Sequence, residues 1–304
     1  MATRRRKKKE DPAPDPVIDE GTEEKNPPPK KAAAKKAAFP PRLEEENLMK
    51  MIVFSPAGHG KTTLLGTGVG DDRISPMLLL DFEGGLKSIK SKFKRIDIND
   101  LGKVPCDINM AHAVKIREWE DFNIVYNFLA DDDHDYKSVG IDSLSEVNYL
   151  NLTTIVGEAI DANDAHDKDI AYRDDYMRSI AQMRRLIRFF RDLPLHVFFT
   201  SAALEVEDAR TRKMQYRPAL TGRLVMELPG LVDTIGYLAV VEEKGEEDSF
   251  RSLCVQPTER YMAKDRSEGG ILGDYLDRPN LPWMLDILLG EAPPNIDEEE
   301  EGEE

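Results

Sequence analysis

An α/β protein with a mostly parallel central sheet flanked by helices is what this sequence predicts, and three observations predict it. Short apolar runs alternate with segments of helical periodicity. The apolar runs are continuous rather than alternating, as strands covered on both faces must be. The first run also passes directly into a glycine-rich turn and then into a helical pattern, 51-MIVFSPAGHGKTTLL-65.

The elements follow in order. MIVF (51–54), MLLLD (77–81), KSVGID (137–142), LHVFFTS (195–201) and TIGYLAVV (234–241) read as buried strands. Residues 60–68, 118–130, 143–160 and 170–193 read as helices. In the last of these, Met177, Ile180, Met183, Leu186, Ile187 and Phe190 recur at three- and four-residue steps. Strands and helices alternating in this way imply right-handed crossovers. Ligands then bind at the carboxyl ends of the strands.

The chain has 304 residues and a formal charge of −16. Residues 1–45 are rich in proline, lysine and arginine, lack apolar periodicity and read as a disordered basic arm. Residues 291–304 carry eight acids and no base and read as a disordered acidic tail, which solvates the chain, mimics nucleic acid at the chain's own basic surface, or hooks a replication or recombination partner. Residues 46–290 form the folded domain. The acidity of the middle argues against a broad nucleic-acid-binding surface and leaves room for a narrow basic track. The two cysteines, Cys106 and Cys254, lie far apart without metal-ligand spacing, which fits a reducing, cytoplasmic setting. No apolar run is long enough to cross a bilayer, so no membrane partner is expected.

Ser55, Pro56, Ala57, Gly58, His59, Gly60, Lys61, Thr62 and Thr63 form the link between the first strand and its helix. The context turns a G-x-x-x-x-G-K-[ST] match into a phosphate-binding loop. Gly58 and Gly60 let consecutive N–H groups point inward at phosphate oxygens. Lys61 reaches the β- and γ-phosphates of ATP, and the Thr62 hydroxyl ligates Mg²⁺. Ser55 stands where the motif has glycine, and Pro56 biases it towards the extended backbone that ends a strand.

Hydrolysis needs more than the loop. Asp142 ends the third strand, where an acid orients magnesium's ligand shell or caps the following helix. Glu83 lies just past the second strand, beside Gly84 and Gly85, placed to hold the attacking water. Asp81 competes for this role but lies nearer the strand interior. Thr200 and Ser201, at the end of the fourth strand, are candidate γ-phosphate sensors or simply polar strand ends.

These motifs in this order, together with a GRLVMELPGLVDTIGYL segment and a late AKDR, resemble the RecA-like ATPases of bacteriophages, the short recombination and single-strand-annealing ATPases that keep only the RecA core. The resemblance covers about residues 49–290. It implies that Glu83 is the catalytic glutamate and Asp142 the second acidic motif. It also implies that the segment after Ser201 lines a single-stranded DNA path. There Arg210, Arg212, Lys213, Arg217 and Arg223 flank Tyr216, cations for phosphates and a ring for stacking. Glu205, Glu207 and Asp208 equally suit a solvated hairpin. Lys264 and Arg266 resemble cations that reach a neighbouring subunit's nucleotide in a ring or filament, and also suit an ordinary basic turn. The expected function is ATP binding and hydrolysis on single-stranded DNA in recombination or annealing, in the cytoplasm of a bacterial host. A helicase or helicase-loader ATPase of DNA replication and an NTP-gated non-catalytic adaptor are the alternatives.

Overall fold

The computed structural model describes residues 43–131, 133–162, 170–207, 212–242 and 249–294. In chain order the principal elements are β1 (Lys50–Ser55), α1 (Lys61–Thr67), β2 (Met77–Asp81), β3 (Phe93–Ile96), β4 (Ala111–Lys115), α2 (Asp121–Ala130), β5 (Ser138–Asp142), α3 (Leu144–Ala162), α4 (Arg173–Arg191), β6 (His196–Glu207), β7 (Met214–Pro218), α5 (Leu224–Glu227), β8 (Thr234–Glu242), β9 (Ser249–Cys254), β10 (Tyr275–Asp277) and α6 (Leu281–Leu288).

The strands form one ten-stranded sheet in the order β10-β9-β8-β1-β6-β5-β2-β4-β3, with β7 paired to the far end of β6. From β8 to β3 every pairing is parallel; the β8–β9, β9–β10 and β6–β7 pairings are antiparallel. The continuous apolar runs divide between two layers. Ile52, Leu78 and Ile141 pack against α2, α3 and α4, whereas Met51, Val53 and Leu79 pack against α1 and α6. Alternate residues of one strand thus serve opposite faces, which is why the runs show no polar alternation. Glycine permits a close approach to this core at Gly140, where an added Cβ would lie 2.7 Å from Leu79 Cδ2.

Local signals set several element ends. The Tyr172 N–H donates to Asp175 Oδ2 (2.7 Å) where α4 begins, and Asn280 Oδ1 accepts from the Trp283 N–H (2.9 Å) at the start of α6. Two long helices and the buried strands fall within a few residues of their expected bounds. β6 is the main exception. It does not end at Ser201 but runs on to Glu207 and folds back as a hairpin with β7. β3, β4, β7, β9 and β10 are additional strands that the apolar runs did not reveal. No described helix is long and apolar enough to cross a membrane.

Candidate nucleotide site

The loop between β1 and α1 has the backbone that a phosphate cradle requires. Gly58 (φ +82°) and Gly60 (φ +102°) occupy the left-handed region, where a side chain would be strained. Ser55 does not need it: it is a fully buried strand residue, and its φ is not positive. Serine in place of the usual glycine therefore costs the loop nothing at this position. Lys61 Nζ donates to the Ser55 and Pro56 carbonyls (3.0 and 3.2 Å). Burial lowers its pKa, while the Glu83 and Asp142 carboxylates oppose that shift. The ammonium and both acids therefore share one locality.

Asp142 lies at the carboxyl end of β5, almost fully buried. Its Oδ2 accepts from Thr62 Oγ1 (2.7 Å) and its Oδ1 from Thr200 Oγ1 (2.5 Å). Burial is the chief cause holding its carboxyl above the usual range. The two threonine hydroxyls pull it down, the Glu83 charge pushes it up and Lys61 draws it down again. The pair Thr62–Asp142 fits a Mg²⁺ site by its donors, one hydroxyl and one carboxylate oxygen. The backbone beside it is glycine for a steric reason. A Cβ at Gly85 would stand 3.3 Å from Thr62 Oγ1 and 3.7 Å from Asp142 Oδ2, crowding the pair. Among the described residues no cluster of three His, Cys, Asp or Glu side chains offers a metal site.

Glu83 and Asp81 are distinguished by their partners. Asp81 is buried and committed: Oδ1 accepts from the Gly84 N–H (2.8 Å) and Oδ2 from Arg95 (2.8 Å). It shapes the turn that presents Glu83. Glu83 is exposed, and its Oε1 accepts from Ser143 Oγ. The Phe82 N–H donates to the Asp142 carbonyl (2.9 Å), tying the two acidic segments together. Thr200 is spoken for by Asp142. Ser201 Oγ lies 3.0 Å from Ser145 Oγ and donates to the Ala202 carbonyl, so it sits one layer away from the carboxylates.

The candidate DNA residues are dispersed. Arg210 lies outside the described residues. Arg212 pairs with Glu207 (3.1 Å), Lys213 with Glu259, and Arg217 Nε donates to Gln215 Oε1 (2.7 Å). Arg223 is exposed beside α5. Tyr216 packs into an aromatic group with Tyr237 and Tyr261 and lies under the Arg260 guanidinium. Lys264 and Arg266 sit at the amino end of β8, away from the loop: Lys264 pairs through its backbone with Ile235, which aligns with Ile52. Lys264 does not project. Its ammonium is held by the Pro229 and Val232 carbonyls, so its own chain's backbone takes up the cation expected to act across a subunit boundary. Arg266 pairs with Asp233 (3.0 Å).

Three residues at the site escaped the sequence. Ser143 positions Glu83, Arg95 holds Asp81, and Arg251 of β9 donates Nε to the His59 carbonyl (3.4 Å) on the far flank of the loop. Only Ser143 carried a signal, as the residue after Asp142. The other two meet the site from distant positions.

A family model described as AAA domain matches residues 47–267, the span holding every catalytic candidate named above. The sequence has no significantly similar counterpart among curated proteins. Among solved structures, a KaiC-like protein from the hyperthermophilic archaeon Pyrococcus horikoshii is similar over 79% of this chain and 91% of that chain. Its sequence identity is 11% and its TM-score 0.37.

Proposed function

The chain belongs to the AAA domain family, and from that premise we propose that it is an ATPase. It binds Mg·ATP at SPAGHGKT and hydrolyses it through Glu83. The observation that carries this reading is the convergence of Lys61, Thr62, Asp142 and Glu83 at the carboxyl ends of β1, β5 and β2. Thr62 and Asp142 would hold Mg²⁺, whose charge offsets that of the transferring phosphoryl group. Lys61 leaves two backbone carbonyls to meet the β- and γ-phosphates. Glu83, steadied by Ser143, orients a water and accepts its proton.

The work coupled to hydrolysis, in this reading, is done on single-stranded DNA in phage recombination or annealing, by a ring or filament of subunits. Support comes from the order of motifs and from the basic residues of the β6–β7 hairpin, which is continuous with the strand bearing Thr200. A second reading, an NTP-gated adaptor, is favoured by one observation: acids pair with Arg212 and Lys213, leaving the hairpin less charge for phosphates. ATP turnover with and without single-stranded DNA separates the two. The first reading expects stimulated hydrolysis that Lys61→Ala abolishes. Mg·ATP binding without hydrolysis selects the adaptor, hydrolysis indifferent to DNA rejects the DNA role, and absence of Mg·ATP binding at millimolar concentration rejects both readings.

A further inference from the structure

The residues discussed so far reach the phosphate loop from one side. β6, β5 and β2 succeed one another on one flank of β1, and they bring Thr200, Asp142 and Glu83. On the other flank, among the described residues, β9 brings Arg251 to the loop. Arg251 is set in register by pairing with Val240, and its carbonyl accepts from the Arg278 N–H (2.7 Å). Its Nε donates to the His59 carbonyl at 3.4 Å, and a Cβ at Gly60 would lie 3.8 Å from that same nitrogen. His59 itself is tied to the same flank by Nδ1, 3.2 Å from the Leu238 carbonyl.

Arg251 has no acid partner among the described residues, and it is the arginine that reaches the loop. In a chain of net charge −16, Arg73, Arg95, Arg184 and Arg266 each sit against a carboxylate. The two terminal nitrogens of Arg251 have no hydrogen-bond or ion-pair partner among the described residues, and the side chain is exposed. A planar guanidinium with its fork unpaired, anchored at Nε beside a loop built for phosphate, matches a phosphate oxygen pair.

We propose that Arg251 is a nucleotide-binding residue supplied by the same subunit, contacting the phosphates nearest the nucleoside. The inference rests on the nucleotide-binding reading of the loop. The assignment of phosphates follows from the flanks: the magnesium and water-activating groups fix the γ end on the β5 side, so the nucleoside end points towards β9. Arg251 therefore distinguishes nucleotides by their α- and β-phosphates and ignores the γ.

Calorimetric titration of the full chain with ADP and with ATP, in wild type, Arg251→Ala and Arg251→Lys, tests this. Arg251→Ala should weaken ADP and ATP equally, by about tenfold, the scale of one charge-assisted contact. Arg251→Lys, which keeps the charge and loses the fork, should fall between. Unchanged ADP affinity in Arg251→Ala overturns the proposal and leaves the nucleotide site standing. A loss confined to ATP also overturns it, because it would place the guanidinium on the γ-phosphate. A wild-type chain that binds neither nucleotide overturns this inference and the functional reading together.

Discussion

Replacing Glu83 by glutamine removes the proposed base while keeping its size and an oxygen to accept from Ser143. The carboxylate's contribution as base and water-orienting group is on the order of 10²–10⁴ in rate, and 10³ corresponds to about 4 kcal/mol of barrier. The structure adds a second, smaller number. Ser143 Oγ donates to Glu83 Oε1, and Glu83 is exposed. A hydrogen bond to a charged group that water also reaches is worth about 1 kcal/mol. Ser143→Ala should therefore slow hydrolysis about fivefold. The informative experiment is the double mutant. Ser143 has no role in this scheme except through Glu83, so Ser143→Ala should cost nothing further in the Glu83→Gln background. Steady-state ATP hydrolysis measures the three rates, and ATP affinity, expected to change less than about threefold, shows that the site remains assembled. Two results refute the reasoning. One is a Glu83→Gln enzyme with near wild-type turnover. The other is a serine effect of the same factor in both backgrounds, which would give Ser143 an independent role.

Two further outcomes concern stability. Burial holds the Asp142 carboxyl above its usual range, so its stabilising contribution is present below the unfolded pKa and lost as pH rises through the folded one. Without nucleotide at neutral pH, Asp142→Asn should raise the unfolding free energy by roughly 0.5–2 kcal/mol while depressing hydrolysis; a lower melting temperature contradicts this. His196, buried beside Lys50, has its pKa pushed down to about 3, chiefly by desolvation, and its Nδ1 accepts from the Met49 N–H (3.0 Å). The unfolded chain takes up this proton below about pH 6.5 and the folded chain does not, so stability is full above that pH and falls by about 1.4 kcal/mol per unit as pH drops towards 3. His196→Asn, which keeps an acceptor for Met49, should flatten urea midpoints between pH 6.5 and 5. An unchanged slope in that variant would put the acid sensitivity elsewhere.

The parts of the fold that the sequence made legible are those whose physics is local. β1, β2, β5 and β8 are apolar on both faces and stand out as runs. α4 shows its core face through Ile180, Met183, Leu186, Ile187 and Phe190 at helical steps, whereas Met177, read with them from the sequence, is exposed. β4 was hidden because its second residue is His112, a polar side chain that is buried here with Nδ1 2.5 Å from the Tyr136 hydroxyl. Nothing in AHAVK announces that partner 24 residues away. β3 is an edge strand whose FKRI has half-buried Phe93 and Ile96 at its ends and exposed Lys94 and Arg95 between them. Its lysine and arginine suit an uncovered edge but read as loop. β9 mixes Arg251 with Leu253 because one end faces the nucleotide loop and the other the core. The site divides in the same way. The phosphate loop is a contiguous motif and was readable in full, whereas Arg95 on Asp81 is a tertiary pairing visible only after folding.

The strand order explains why a threonine on β6 belongs to the site at all. β1 and β5 are not neighbours; β6 lies between them. At about 4.8 Å per strand step the loop strand and the acidic strand are nearly 10 Å apart, too far for direct contact between their ends. Thr200, opposite Val53 on β1, fills that interval and donates to Asp142 from one side while Thr62 donates from the other. The Asp142 carboxylate is thus fixed by hydroxyls from both directions before any cation arrives. The same β6 then continues past Ser201 and becomes one arm of the hairpin that ends at Pro218. A cation held by Asp142 and Thr62 would compete for the oxygens that Thr200 and Thr62 now bond. Any resulting adjustment of Thr200 is applied to the strand that carries the hairpin, three residues before the Ala203–Pro218 pair. That gives the proposed coupling between nucleotide and hairpin a covalent route through a single element.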